Sequence, residues 1–213
     1  MKTKVLAILL TGLLGSALSS PSVAFAGSKG NKSELQAKLV PAGSVLVEDF
    51  DGKVKYKKKA GKKGSEEEIE AKVESELPNP SLGINDENSA ADASFLLRIF
   101  QGTTTTLKGT CILLIKEIEF EYEGGTNLIG FEAEYAAKVK EKTPLSGLPT
   151  LSKKVGTCQV LPAAVDGIPD VVIGDTAAIY DSTGSTLFLS GVFQSGKHHD
   201  DDDDEDDDED DDD

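Results

Sequence analysis

Apolar and polar residues alternate with a period of two along most of the central chain. Between Ile69 and Leu77, every second residue is apolar or small, and the intervening residues are glutamate or lysine. This alternation is typical of a half-buried strand with one charged face. Glu, Lys and Ala also favour helix, but the apolar residues do not recur at i, i+3 and i+4. The same pattern recurs over residues 91–99, 111–122 and 129–139, so we expect strands there.

Glycine-containing turns separate these segments. Asp51-Gly52 predicts a tight hairpin between strands at 45–50 and 53–56. Residues 124–125 and 182–184 are the other expected turns between strands.

Short strands at this spacing, with Gly and Pro between them, predict an all-β fold. We expect an antiparallel sandwich or barrel of about eight to ten strands. Helix should be minor, with one turn near residues 85–91. The pattern leaves open whether the sheet closes.

The chain divides into four parts. Residues 1–26 resemble a secretory signal peptide, with a short basic start, an apolar run and small residues before a cleavage point. Residues 27–33 are expected to be a disordered lead-in, residues 34–195 the β-sandwich domain, and residues 196–213 a disordered acidic tail. The apolar run of the leader is too short for a bilayer of roughly 30 Å. We therefore expect an exported protein, periplasmic or extracellular, with no membrane span in the mature chain.

The presence of two cysteines is consistent with export to an oxidising compartment. Cys111 and Cys158 both lie in the expected domain, and an oxidising compartment favours a disulfide between them. A metal or nucleophilic role is the alternative, but no histidine lies near either cysteine in sequence.

The inventory of reactive side chains argues against an enzyme. The two histidines, His198 and His199, adjoin the acidic tail, and the chain has no Trp. Nucleophilic triads and sugar-stacking clefts are therefore unsupported. A small hydrolase with a carboxylate pair is the third-ranked hypothesis, behind two non-catalytic ones. No cofactor is required by any motif.

Two acidic loops could hold a hard cation. Residues 49–52 resemble part of a calcium loop, but a hairpin turn explains them better. Asp166, Asp170 and Asp175 place three carboxylates within ten residues. Residues 171–173 between them are predicted to form a buried strand.

The acidic tail dominates the net charge of −16, which comes from 22 basic and 38 acidic residues. Fourteen consecutive acids cannot fold alone, because they repel one another and bury no apolar surface. The simplest hypothesis is a solubilising tail; the functional one is a store of weakly bound Ca²⁺, to which the histidines would add Zn²⁺, Cu²⁺ or Ni²⁺. The candidate ligands are His198, His199, Asp200, Asp201, Asp202, Asp203, Asp204, Glu205, Asp206, Asp207, Asp208, Glu209, Asp210, Asp211, Asp212 and Asp213.

Seven lysines within eleven residues form the second charged feature. They are a candidate contact for a polyanion or for the tail itself, and a solvated hairpin is the simpler interpretation. Nucleic acid is not expected, because the patch has no Arg and the tail would compete. These lysines are Lys53, Lys55, Lys57, Lys58, Lys59, Lys62 and Lys63.

These observations predict an exported, non-catalytic binding or structural protein. Its polyacidic tail is expected to bind divalent cations, above all Ca²⁺, or a basic or mineral surface. The alternative is a cell-envelope module that binds a protein or polysaccharide through its sheet surface, with a tail that only solubilises.

Overall fold

The computed structural model describes residues 31–43, 47–123 and 127–196. The predicted signal peptide and the predicted cation ligands of the tail lie outside these residues. The strands in the described ranges are β1 (Asn31–Pro41), β2 (Phe50–Gly61), β3 (Gly64–Leu77), β4 (Ser94–Phe100), β5 (Leu107–Glu123), β6 (Asn127–Pro144), β7 (Thr150–Val155), β8 (Thr157–Val160), β9 (Val165–Asp166), β10 (Thr176–Asp181), β11 (Leu187–Val192) and β12 (Gln194–Ser195). β1 includes the last three residues of the predicted lead-in.

Eight of these strands form a closed antiparallel barrel. Their order around the barrel is β6, β3, β2, β1, β11, β10, β4 and β5, and β5 pairs again with β6. The all-β prediction is confirmed, and closure decides between its two forms in favour of the barrel. Closure also removes the free strand edges that an open sheet would expose.

The core fills the barrel interior. Inward positions alternate with outward ones along each strand, as the sequence pattern predicts. On β3, for example, Ile69, Ala71 and Val73 are fully buried between charged outward residues, and Leu97 and Ile99 are fully buried on β4. Burial of these side chains is the main favourable contribution to folding.

The hairpin predicted at Asp51-Gly52 is wrong. β2 runs straight through these residues, because Phe50, Gly52 and Val54 share the inward face and continue the period of two. Gly52 allows a close approach to β3: a Cβ there would lie 2.6 Å from the carbonyl oxygen of Lys72. The turn lies instead between Gly61 and Gly64.

The buried strand predicted at residues 171–173 is also wrong. Val171 is buried, but Val172 and Ile173 are 50% and 65% exposed. These residues belong to a loop that covers the barrel end where β2 finishes. The loop also buries Ile168, so its apolar residues serve packing rather than strand pairing.

The opposite end of the barrel is covered by the connection between β3 and β4. This connection holds one 3-10 turn (Pro80–Leu82) and the short helix α1 (Glu87–Asp92), which confirms the predicted helical turn. The Tyr135 hydroxyl donates to the carbonyl oxygen of Ala90 at 3.0 Å, and burial raises the Tyr135 pKa to about 12. In the described ranges, neither helical segment has the length and apolarity needed to cross a bilayer.

The predicted disulfide is confirmed. Cys111 on β5 faces Cys158 on β8, and the two are bonded and fully buried. The bond lies where β5 and β6 diverge and the β7–β8 segment crosses from one to the other. Gly156 permits this crossing, because it has φ +65° and a Cβ there would lie 2.3 Å from the carbonyl oxygen of Ile112.

Removal of the disulfide should destabilise the barrel. The bond joins residues 47 positions apart, and loop-closure entropy for that separation corresponds to about 4 kcal/mol. We expect the double variant Cys111→Ala/Cys158→Ala to lose most of this free energy of unfolding in urea titrations. A loss below about 1 kcal/mol would contradict a stabilising role for the cross-link.

Asp175 should be the most important carboxylate for stability. It is 1% exposed, and it accepts hydrogen bonds from Lys108 Nζ at 2.7 Å and from the backbone N–H groups of Gly102 and Val172 at 3.0 Å. Burial alone would raise the Asp175 pKa, but these donors hold it below its usual value. We expect Asp175→Asn to cost about 2–4 kcal/mol at pH 7.

The lowered pKa of Asp175 also predicts how the stability lost in Asp175→Asn depends on pH. A lowered pKa in the folded state stabilises the protein above the unfolded-state pKa of about 3.9, and this contribution is lost as the pH falls through the folded-state pKa. The difference between wild type and Asp175→Asn should therefore shrink in urea titrations below about pH 4. The matched control is Asp166→Asn, which removes an exposed partner of Lys153 and should change little. Equal losses in the two variants would contradict the assignment.

Candidate functional site

The outer side of β1 and β2 is strongly basic. Because side chains alternate along a strand, four of the seven predicted lysines point outward from β2. Two lysines of β1 extend the same surface, since Lys38 lies opposite Lys53 and Lys32 lies opposite Lys59. We call this surface the basic face; its members are Lys32, Lys38, Lys53, Lys55, Lys57 and Lys59.

The neighbouring glutamates of β3 offset the charge of the basic face only in part. Glu66, Glu68 and Glu70 each lie between a lysine of β2 and a lysine of β6. Their carboxylates contact the β6 side. The contacts are Lys138 Nζ with Glu70 at 3.0 Å and Glu68 at 3.6 Å, Lys140 Nζ with Glu66 at 2.7 Å and Glu68 at 3.8 Å, and Lys142 Nζ with Glu66 at 3.7 Å.

One carboxylate lies within the basic face. Glu34 is 3.9 Å from Lys57 Nζ and 4.0 Å from Lys32 Nζ. Exposed pairs at such distances contribute little. Among the described residues, Lys38, Lys53, Lys55 and Lys59 have no carboxylate oxygen within 4.0 Å, so the face keeps a surplus of positive charge.

Lys58 does not belong to the basic face. It points into the barrel end, where its Nζ lies 2.9 Å from Glu67 and 3.1 Å from Asp170. The buried Tyr56 donates to the same Glu67 at 3.0 Å. Burial alone would lower the Lys58 pKa, but hydrogen bonds to the two carboxylates raise it. This cluster ties β2 and β3 to the loop that covers the barrel end.

Lys62 and Lys63 form the two-residue turn between β2 and β3. They border a depression of about 660 Å³ that Lys59, Lys142 and Glu66 also line. The turn therefore extends the basic face around the end of the barrel.

The described chain ends beside the basic face. β12 pairs with β1, with Ser195 opposite Leu35, and the Gly196 N–H donates to the Glu34 carbonyl oxygen at 3.0 Å. On the other side of β1, Glu34 lies opposite Lys57. Residues 197–213, with all the predicted cation ligands, follow from this point and lie outside the described residues.

The three loop acids do not converge. Asp166, Asp170 and Asp175 each pair with a different lysine: Lys153 at 2.6 Å, Lys58 at 3.1 Å and Lys108 at 2.7 Å. Within residues 31–43, 47–123 and 127–196, no three His, Cys, Asp or Glu side chains are grouped so that they could hold a metal ion.

Sequence reasoning missed an acidic surface on the outer side of the barrel. It lies on β2, β3, β5 and β6, toward the barrel end opposite the turn at Lys62 and Lys63. Here strand register places like charges opposite each other: Glu74 opposite Glu134, and Glu132 opposite both Glu76 and Glu119. The alternation of each strand signals outward carboxylates, but only the register brings the strands' acids together. We call this surface the acidic end; its members are Asp51, Glu74, Glu76, Glu117, Glu119, Glu132 and Glu134.

Lysines offset part of the acidic end. Lys72 contacts Glu74 and lies 2.8 Å from Glu134, and Lys116 Nζ is also 2.9 Å from Glu134. Glu132 has no such partner among the described residues. Burial, followed by the charges of Glu74 and Glu119, raises the Glu132 pKa above its usual value.

Comparisons with known proteins add no family to this description. Searches against protein-family models, curated proteins and solved structures find no match.

Neutralising Glu132 should stabilise the barrel. Because its pKa is raised in the folded state, the folded protein binds a proton more readily than the unfolded one, and stability falls as the pH rises above about 4. We expect Glu132→Gln to raise the free energy of unfolding at pH 7 by up to about 1 kcal/mol, as for other like-charge pairs across strands. The gain should disappear below pH 4 in urea titrations.

The matched control is Glu68→Gln. Its carboxylate lies near Lys138 and Lys140, so its removal should give no gain. A gain of equal size in both variants would indicate a general effect of net charge rather than local repulsion at the acidic end.

Proposed function

We propose that this protein is an exported, non-catalytic binding protein whose acidic tail binds divalent cations, above all Ca²⁺, or a basic or mineral surface. The observation that carries this proposal is a run of fourteen carboxylates from Asp200 to Asp213. The run begins four residues after Gly196, which is hydrogen-bonded to the barrel. The barrel thus serves as the scaffold from which the tail extends.

The packed interior supports a scaffold role. Side chains such as Val54, Ile69 and Leu113 fill the barrel axis and are fully buried. Both cysteines are consumed in the disulfide. The chemistry therefore favours binding at the surface or through the tail over catalysis inside the barrel.

The tail suits hard cations. Ca²⁺ takes six to eight oxygen ligands in adaptable geometry, and fourteen adjacent carboxylates supply many combinations of such ligands. Affinity per site should be low, near the millimolar end of the extracellular range, while capacity should be high. His198 and His199 add the imidazole ligands that Zn²⁺, Cu²⁺ and Ni²⁺ prefer.

Removal of the tail should abolish most of the Ca²⁺ uptake. Calorimetry of the mature protein should detect several weak Ca²⁺ sites, and a chain ending at Gly196 should lose them. Ending the chain there keeps the hydrogen bond from Gly196 to Glu34. Because the acidic end remains in the shortened chain, that protein also measures any uptake by the barrel. Equal uptake by both proteins would rule out the tail as the cation site.

The alternative is an envelope module that binds through its sheet surface. The observation that favours it is a pair of outward apolar side chains on β5, Ile112 and Leu114, which are 45% and 43% exposed. The test is a pull-down from envelope extracts. The alternative predicts that the full chain and the chain ending at Gly196 capture the same partner, and that Ile112→Ser/Leu114→Ser abolishes capture. These two results together would replace the tail proposal.

A further inference from the structure

We propose that the basic face is the docking site of the protein's own acidic tail, and that divalent cations release the tail and uncover the lysines. The occupant is the run from Asp200 to Asp213 of the same molecule. Only the release step rests on the cation binding proposed above; docking itself depends on charge and position.

The described chain ends close to the lysines of β2. β12 runs antiparallel to β1 and therefore directs the chain toward the Asn31 end of β1. The last described contact is between the Gly196 N–H and the Glu34 carbonyl oxygen. Lys57 lies opposite Glu34 on β2, two strand spacings, or roughly 10 Å, from Gly196.

The number of residues after Gly196 sets how far the tail can reach. Asp200 is four residues beyond Gly196, a reach of roughly 13 Å, and the fourteen acids span roughly 45 Å when extended. The β2 lysines from Lys53 to Lys59 span roughly 20 Å along the strand. The tail is therefore long enough to cover the basic face and to continue over the turn at Lys62 and Lys63.

The charges of the acidic tail and of the basic face are opposite in sign. The basic face carries six lysines and one carboxylate, whereas the β6 lysines are already paired with Glu66, Glu68 and Glu70. The acidic end, farther along the same strands, repels the tail. Among the described residues of β1, β2, β3 and β6, the basic face thus keeps a surplus of positive charge, and the tail begins beside it.

The association is expected to be a diffuse complex held by many weak pairs. A single exposed ion pair is weak, but covalent attachment through a short connection gives an effective concentration in the millimolar range. Salt should weaken docking, because the Debye length falls from about 30 Å at 0.01 M to about 8 Å at 0.15 M. Ca²⁺ should weaken it further by neutralising the carboxylates.

The test uses the full mature chain with a spin label on Asp213→Cys. At 0.01 M salt we expect at least a twofold loss of amide signal intensity for Lys53 to Lys59 and for the hairpin turn. The loss should be reversed at 0.15 M salt and, separately, by 5 mM Ca²⁺ at low salt. No loss of intensity at 0.01 M salt would overturn the proposal.

Two charge-matched variants separate position from net charge. Lys55→Gln/Lys57→Gln/Lys59→Gln should abolish the loss of intensity. Lys116→Gln/Lys153→Gln/Lys154→Gln removes the same charge outside the basic face and should leave it unchanged. Equal effects of the two variants would overturn the assignment of the basic face. An amide shift pattern like that of the wild type should show that each variant keeps the fold.

Mixing separates the two possible sources of the tail. Spin-labelled, unenriched protein mixed with unlabelled, isotope-enriched protein should give no loss of intensity at 50 μM. If the mixture loses as much intensity as protein that carries both the spin label and the isotope enrichment, the tail docks on a second copy. That result would overturn docking within one molecule.

Calorimetry separates this proposal from the function proposed above. Ca²⁺ uptake without any signal loss at low salt would leave the cation function standing and end the docking proposal. Signal loss that Ca²⁺ fails to reverse, in a protein that takes up Ca²⁺, would retain docking and overturn release. Signal loss in a protein that takes up no Ca²⁺ would retain docking and end the cation function.

Discussion

Pairing between β5 and β6 closes the sheet, and the rest of the structure depends on that closure. The two strands pair from the hairpin, where Glu123 lies opposite Asn127, back to Leu114 opposite Ala136, and beyond that pair they diverge. Beyond this point, β7 pairs with β6 and β8 pairs with β5. Once the barrel is closed, each of its eight strands has one face in the core and one in solvent, and a shift of one residue would exchange them.

The same closure gives the outer wall its electrical polarity. β2, β3 and β6 lie side by side in a register that gives an excess of lysines toward one barrel end and an excess of carboxylates toward the other. Like charges directly opposite each other reduce stability, so the acidic end is a cost that packing elsewhere offsets. Glu132 contributes to this cost, because burial and its acidic neighbours both disfavour its ionised form.

The proposed docking of the tail depends on this polarity. A chain that left the barrel beside the acidic end would expose the tail to repulsion. The last described residue, Gly196, lies instead beside Glu34, which is opposite Lys57. Docking and cation binding would then compete for the same carboxylates, and the concentration of divalent cations would decide whether the lysines are available to another anionic partner.

The sequence by itself determined the kind of fold and the chemistry of its surfaces. The period-two pattern of residues 69–77 and 129–139 predicts strands because alternate side chains of a strand face opposite sides. Cys111 and Cys158 are the two cysteines of a chain whose leader predicts export, and these two features together predict their bond. These inferences succeed because each depends on local periodicity or on composition.

Only the tertiary structure decided which strands are neighbours, and the remaining features follow from that. Asp51-Gly52 has the local signature of a hairpin, yet pairing of β2 with β3 on one side and β1 on the other keeps it in a strand. Lys58 resembles the lysines around it, but its inward position pairs it with Glu67 and Asp170. The addition of Lys32 and Lys38 to the basic face, the acidic end and the site where the tail begins all arise from contacts between residues distant in sequence. No local pattern encodes such contacts, because register and closure are set by the packing of the whole barrel.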